Sequence, residues 1–562
     1  MITATPFAAV DASLDTLSRR ASAWAMVPAG ERAALLRRVA ARFLQVSDDL
    51  VADAIVAKGV DRSYGGEDWV SGPISFLRTC RFLADTLEAI SRTGRVPLPD
   101  AAFTERPDGQ VTVAVVPADR WDRMLYRGWN AKVWMEPDIP LAEARQQVGG
   151  YYTKGTPPLP GVAAILGAGN VASIAPLDLV HKLFVAGRVA LVKFSPVNEY
   201  IGPYVEHAFA PLVAAGFVRF AYGHADVGAH LVQHPLVDEV HVTGSEHTFN
   251  LIVFGPGEEG RRRQAEDRPI VDKPVTAELG NVSPVVVIPG DWSPRALESQ
   301  ARHVATQVLQ NVGFNCNAAK VLVLPGRWPQ RTEFVERVAA LLAARPSRPA
   351  YYPGTQGRYE RAVSAAPRVR ALGEHRDGAV PPTLLEGFDA AQSSPVFDEE
   401  AFCQVMAVVD IDQPDPGRFL DAAVEFCNDR LRGTLNATLL VDPATAHRPD
   451  TGLDRAVERL RYGSIGVNVW AAAAFPLGVT PWGAFPGHRR NDVQSGLGFV
   501  HNARLVDRPQ KSVITAPFVM TPAPPWSVFH RRATAALRAV ARFEADPGPL
   551  RFAAVLASAL RP

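Results

Sequence analysis

The chain of 562 residues is too long for one hydrophobic core, so at least two substantial domains are expected. Its 59 Lys+Arg stand against 58 Asp+Glu, a balance that excludes nucleic acid or an acidic membrane surface as a bulk electrostatic partner. Hydrophobic residues at 47% and charged residues at 21% describe an ordinary globular protein, and no apolar run approaches the ~20 residues of a membrane span.

Only four cysteines occur, Cys80, Cys316, Cys403 and Cys427, and no two are spaced C-x-x-C. H-E-x-x-H is also missing, so no metal site is expected, and so few cysteines do not form a disulfide framework. That points to a reducing compartment. The opening MITATPFAAVDASLD lacks a basic region followed by an apolar core, so a cytoplasmic protein is expected.

Residues 28–58 place Leu35, Val39, Phe43, Leu50, Val51 and Ile55 at helical spacing, with Ser47-Asp48-Asp49 reading as a helix start between two segments. Residues 111–160 pass from strand-like QVTVAVV through Trp121, Tyr126, Trp129 and Trp134 to helical PLAEARQQV. This stretch is expected as a surface insertion or oligomerisation element. From 161, strand-like runs at 162–166, 189–194, 218–223 and 237–244 alternate with helical stretches, the pattern of a parallel sheet covered on both faces. The charged stretch 255–268, with Arg261, Arg262 and Arg263, reads as a solvated loop. A strand at 284–289 and a helix from Pro294 lead to the Cys316 loop and a strand at 320–325. Helices and short strands continue to about 500. From about 511 a Pro-rich start leads to basic helical stretches carrying Arg531, Arg532, Arg538 and Arg542, which are expected to dock onto the body.

Three separated segments carry the chemistry. In QNVGFNC (310–316), Cys316 ends a turn-prone loop between helix and strand, where a nucleophilic sulfur with a depressed pKa could face a cleft. In VTAELGN (275–281), Glu278 ends a strand before Gly280. In LGAGNVAS (166–173), Asn170 ends a Gly-rich turn after a buried strand, where α/β sheets place ligands. Taken singly, each is a weak signal.

Together they resemble the aldehyde dehydrogenase superfamily over about residues 20–505. The matching motifs run in order: Asn170, VALVK with Lys193, VTGS with Thr243 to Ser245, ELGN with Glu278, and NVGFNC with Cys316. EEAF with Glu400 and Phe402 follows, then TPWGAF with Pro481, Trp482 and Gly483. The resemblance implies an α/β fold with a Rossmann-like NAD(P)-binding domain over 1–280, a catalytic domain over 281–483, a return and oligomerisation segment at 484–510 and an extension at 511–562. It also implies oxidation of an aldehyde to an acid through a thioester on Cys316, with Asn170 stabilising the oxyanion and Glu278 activating the hydrolytic water. NAD or NADP would be held by Lys193, Ser195, Gly244, Ser245, Glu400 and Phe402, and the assembly would be a homodimer or homotetramer.

Departures mark a divergent branch. Pro196 stands where NAD-preferring members often carry a Glu, which leaves NADP admissible. Phe249 replaces a Gly near the pyrophosphate, implying an altered phosphate grip. A CoA-acylating dehydrogenase or acyl-CoA reductase is the nearest alternative, and Glu278 argues for water over CoA. A non-catalytic binding or assembly protein of the same fold is the second. NVWAAAAFPLG (468–478) is expected to line an apolar substrate passage suited to an aromatic or medium-chain aldehyde.

Overall fold

The short apolar runs between 162 and 279 become strands of one sheet, most of them buried on both faces, an environment that a parallel sheet covered by helices provides. In the computed structural model, which describes residues 2–374, 376–413 and 415–559, that sheet is six-stranded. Its five parallel strands stand in the order Val275–Leu279, Glu239–Gly244, Val162–Leu166, Val189–Lys193, Val218–Ala221. The winding reverses at Val162–Leu166. A crevice beyond the carboxyl ends of that strand and Glu239–Gly244 is where doubly wound sheets take ligands.

Three residues after Val275–Leu279, Ser283–Val287 lies in a second sheet of eleven strands. Its seven central strands, from Thr383–Asp389 to Pro509–Thr515, run parallel. The chain comes back to the first sheet late: Gly496–Leu497 pairs antiparallel with Val275–Leu279, setting Gly496 opposite Glu278.

Several local readings change. Residues 29–58 form one continuous helix, Ala29–Lys58. Ser47 does not start a helix but lies buried within it and donates to the Phe43 carbonyl at 2.8 Å, the back-bond of a mid-helix serine. The charged 255–268 stretch is not a plain loop: Gly257–Ala265 is helical, with Glu259 paired to Arg262 and Arg263 one turn on. The 111–160 stretch, expected as a surface insertion or oligomerisation element, is joined to the body of the fold. Its strands Val111–Val116 and Asn130–Met135 are largely buried and extend the eleven-stranded sheet by pairing onto Pro509–Thr515.

That last pairing also moves the start of the C-terminal extension. A boundary at 511 would cut the strand Pro509–Thr515, so the extension begins at 516; its last three residues, 560–562, lie outside the described ones. Helices Ala533–Ala545 and Pro549–Ala559 form a hairpin that packs on the N-terminal helices. The anchor is ionic. Glu544 is fully buried and accepts from Arg78 at 2.8 Å and Arg81 at 2.6 Å, while Arg78 also binds buried Asp122 at 2.8 Å. Of the basic residues on the first helix, Arg538 and Arg542 are paired with Asp48. Among the described residues, no helix is long and apolar enough to cross a membrane.

A buried charge stripped of its partner is costly, so Glu544→Ala is expected to weaken docking of the hairpin by about 3–5 kcal/mol. Hydrogen exchange should then quicken over 533–559 while the cofactor sheet keeps its protection. Unchanged exchange in the hairpin would contradict the anchor.

Candidate active site

The helix Pro294–Leu309 ends against a backbone that no regular element continues. Asn311 and Val312 both take positive φ, 52° and 59°. Asn tolerates this region, but a β-branched Val does not adopt it without strain of about 1–3 kcal/mol, so the surroundings must impose it. They do so through buried Asn311. Its amide nitrogen donates to the carbonyls of Asn170 (3.0 Å) and Phe314 (3.2 Å) and to Asn315 Oδ1 (3.0 Å). Its Oδ1 accepts from Lys58 (2.9 Å) and Tyr351 (2.9 Å), and Lys58 is paired with Asp68 at 2.6 Å. The backbone N–H of Asn311 donates to Glu67, which Arg348 also binds. The turn that presents Cys316 is therefore fixed from both sides.

Cys316 is half-buried at the wall of a large cavity, and Glu278 faces it. Burial, the Glu278 carboxyl and the Glu400 carboxyl push its thiol well above the ordinary cysteine range. A depressed pKa was the expectation, and the resting site does the opposite: two carboxyls converge where a thiolate would form. The same closeness acts on Glu278. Burial raises its carboxyl to about 7, against hydrogen bonds from Cys316 and Trp482 that pull it down. Trp482 Nε1 donates to Glu278 Oε1 at 3.1 Å. The thiol stays protonated beside a carboxyl that changes state near neutrality.

Asn170 lines the same cavity, and its side-chain amide donates to the Phe314 carbonyl at 2.9 Å. An amide nitrogen carries two protons, so one remains for an oxyanion. Val469, Trp470, Phe475 and Leu477 also line the cavity, and Trp470 Nε1 is held by the Asn317 carbonyl at 2.9 Å. Among the described residues no cluster of His, Cys, Asp and Glu could hold a metal ion.

The residues assigned to the cofactor occupy the carboxyl ends of the first sheet and the segment facing them. Lys193 ends its strand and is largely buried, which lowers its ammonium against Asp226 and Glu199; among the described residues nothing accepts a hydrogen bond from it. Ser195 packs on the Gly169 backbone. Gly244 ends a strand beside open space. Ser245 is the N-cap of helix Glu246–Phe254, its hydroxyl accepting from the Thr248 N–H at 3.1 Å, which leaves the other first-turn N–H groups for an anion. Phe249 is fully buried in the core, so its ring does not obstruct that helix start.

Glu400 reaches the junction between the sheets. A Cβ on Gly280 would lie 1.8 Å from Glu400 Oε2, so only glycine fits the ELG position with Glu400 in place. Glu400 Oε1 is buried without a partner among the described residues. Phe402, at φ 42°, packs edge-on against Tyr352 at 5.0 Å. Lys320 ties this segment to the cysteine loop, donating to the carbonyls of Cys403 (2.7 Å) and Gly313 (3.3 Å). Cys403 is fully buried.

The profile of the Aldehyde dehydrogenase family matches residues 142–485. The chain belongs to this family. As an aldehyde dehydrogenase it is an oxidoreductase acting on aldehydes. Aminoaldehyde dehydrogenase 1, peroxisomal, of Malus domestica is 25% identical over 517 residues, covering 87% of this chain and 84% of its own. Alpha-ketoglutaric semialdehyde dehydrogenase 2 of Azospirillum brasilense is 28% identical over 301 residues, covering 50% of this chain and 53% of its own. A solved structure of an aldehyde dehydrogenase C mutant from Pseudomonas syringae, with NAD+ and octanal, aligns at TM-score 0.61 and 17% identity, covering 93% of this chain and 91% of its own. The NADP-dependent glyceraldehyde-3-phosphate dehydrogenase of Bacillus halodurans, complexed with NADP, aligns at 0.61 and 16% identity, covering 92% of each chain. These solved structures share the fold of this chain.

Motif reading brought Cys316, Glu278, Asn170, Glu400 and Phe402 to one region of this dehydrogenase but missed the polar residues that position them. Asn311 was visible only as part of QNVGFNC, and nothing in the sequence joins it to Lys58 and Asp68, 253 residues or so away along the chain. Trp482 was noted as a motif position without its bond to Glu278.

If the neighbouring carboxyl holds the thiol protonated, Glu278→Gln should lower the pH at which Cys316 is alkylated by iodoacetamide. The other cysteines are buried, so the labelled peptide reports on Cys316 alone. An unchanged or higher midpoint would show that Glu278 does not act on the thiol.

Proposed function

We propose that this dehydrogenase converts an aldehyde to its carboxylic acid through a thioester on Cys316, which is resolved by water. The observation that carries the reading is that Glu278 faces Cys316, which shares one cavity with Asn170. Attack joins the Cys316 sulfur to the carbonyl carbon as the thiol proton passes to solvent. The carbonyl oxygen gains the negative charge, and the Asn170 amide and the Cys316 backbone N–H are the donors available to it.

The residues at the strand ends fit a nicotinamide dinucleotide. Lys193 has free donors for ribose hydroxyls, the N-terminus of Glu246–Phe254 has N–H groups for a pyrophosphate, and the orphaned Glu400 oxygen can accept from a second ribose. Bound there, NAD or NADP supplies the hydride acceptor that turns the sulfur adduct into an acyl thioester. Relatives with NAD and with NADP bound share this fold, and Pro196 places no carboxylate against a 2′-phosphate.

Glu278 then draws a proton from water as the water oxygen attacks the thioester carbon and the C–S bond breaks, returning the sulfur to Cys316. A carboxyl raised to about 7 suits this work, since it is basic yet still ionises near neutral pH. This favours water over CoA as the acceptor of the acyl group.

Two outcomes are expected. Cys316→Ala should lose at least about 10⁴-fold in kcat. Glu278→Gln should give one rapid equivalent of reduced dinucleotide, then turn over about 10²–10⁴-fold more slowly. Because the carboxylate is the working form, wild-type steady-state kcat should rise with pH through about 7, and that limb should vanish in Glu278→Gln. A Glu278→Gln enzyme with wild-type steady-state turnover and the same pH limb would exclude Glu278 as the base.

A further inference from the structure

The cavity at Cys316 has a volume of about 760 Å³, toward the upper end of ordinary small-molecule sites. Its lining comes from both the catalytic body and the extension that the family match does not reach. The segment 517–526 and both C-terminal helices face into it, Leu537 and Val540 from the first and Val555 from the second. Among the described residues Arg127 is the one charged side chain on the lining.

The roof is built into the molecule. Trp526 stands edge-on to Trp129 at 5.6 Å, and both line the cavity. Thr521 Oγ1 accepts from Arg295 at 3.0 Å, and the carbonyls of Phe518 and Val528 accept from Gln300 and Arg345. The helical hairpin is held by Glu544 on Arg78 and Arg81. Strap and hairpin are thus fixed to opposite parts of the body, over a space that ends at the nucleophile.

We propose that residues 516–559 are the substrate-specificity element of this enzyme, closing an apolar tunnel that takes a long-chain aliphatic aldehyde with its carbonyl at Cys316. This rests on the reading of Cys316 as the nucleophile and deepens it. The earlier expectation of an aromatic or medium-chain substrate considered only 468–478; the roof adds most of the remaining apolar wall. A cationic aminoaldehyde would shed its water against a lining that, among the described residues, offers no carboxylate. An alkyl chain loses nothing there, and each methylene moved from water adds about 0.8 kcal/mol, or roughly fourfold in binding.

The test is a series from butanal to hexadecanal with NAD and with NADP, run beside an aminoaldehyde of matched length, on the full-length enzyme and on Val540→Trp and Leu537→Trp. The tunnel predicts kcat/KM rising by up to about fourfold per methylene until the space is filled. Each tryptophan should cut the dodecanal-to-butanal ratio tenfold or more, a ratio taken within one enzyme and so insensitive to a general loss of activity. Calorimetry of dodecanoic acid gives a readout independent of turnover: binding to the wild type, weakened by either substitution. A flat or falling chain-length series, a ratio unmoved by both tryptophans, or preference for the aminoaldehyde would overturn the proposal. If no aldehyde turns over, the catalytic reading fails, and dodecanoic acid binding alone decides the tunnel: binding that Val540→Trp weakens upholds it, and no binding overturns it.

Discussion

The geometry of the active site depends on the left-handed backbone at Asn311 and Val312. One residue of that pair is ill-suited to its conformation, so the turn persists only while the groups around it hold. Asn311 supplies most of that hold, with donors to Asn170, Phe314 and Asn315 and acceptor positions filled by Lys58 and Tyr351. Three parts of the chain meet in this one side chain: the long N-terminal helix through Lys58, the Gly-rich turn of the cofactor sheet through Asn170, and the cysteine loop itself. Lys58 is buried and its charge is balanced by Asp68, so disturbing any member exposes a costly unpaired group. That cost converts a strained turn into a rigid one, and the position of Cys316 follows from it.

The electrostatics of the site follow from the same enclosure. Burial raises both Cys316 and Glu278; the carboxyl makes ionisation of the thiol harder, while the hydrogen bond from the thiol eases that of the carboxyl. At rest Cys316 is therefore a thiol, with a carboxyl beside it that ionises near neutrality. Glu400 adds a second carboxyl raised by burial, with Lys320 opposing the rise. In the proposed mechanism the Asn170 amide and the Cys316 N–H are the donors for the charge that develops on the substrate.

Much of this was legible from residue patterns. The strands of the cofactor sheet stand out as short apolar runs because both of their faces are buried, and their alternation with helices fixes a parallel sheet. Cys316, Glu278 and Asn170 were legible through ordered motifs. What pattern could not show is long-range. Ser47 reads as a helix start because capping chemistry and a mid-helix back-bond use the same residue types. The sheet pairing of the 111–160 stretch is hidden in the sequence because its strands reach the body only through Pro509–Thr515, far along the chain. The direction of the Cys316 shift depends on burial and on two carboxyls from separate segments, and the roof over the cavity comes from a segment with no motif at all.

The central claim is that the acyl group passes through Cys316 and leaves by way of Glu278. Intact-protein and peptide mass spectrometry of Glu278→Gln, mixed with an aldehyde and NAD or NADP and quenched in acid, tests it directly. The account predicts one acyl group per chain, on the peptide that contains Cys316, and none when Cys316 is also replaced by Ala. Reduction of the dinucleotide without any such adduct, or an adduct on another residue, would contradict it.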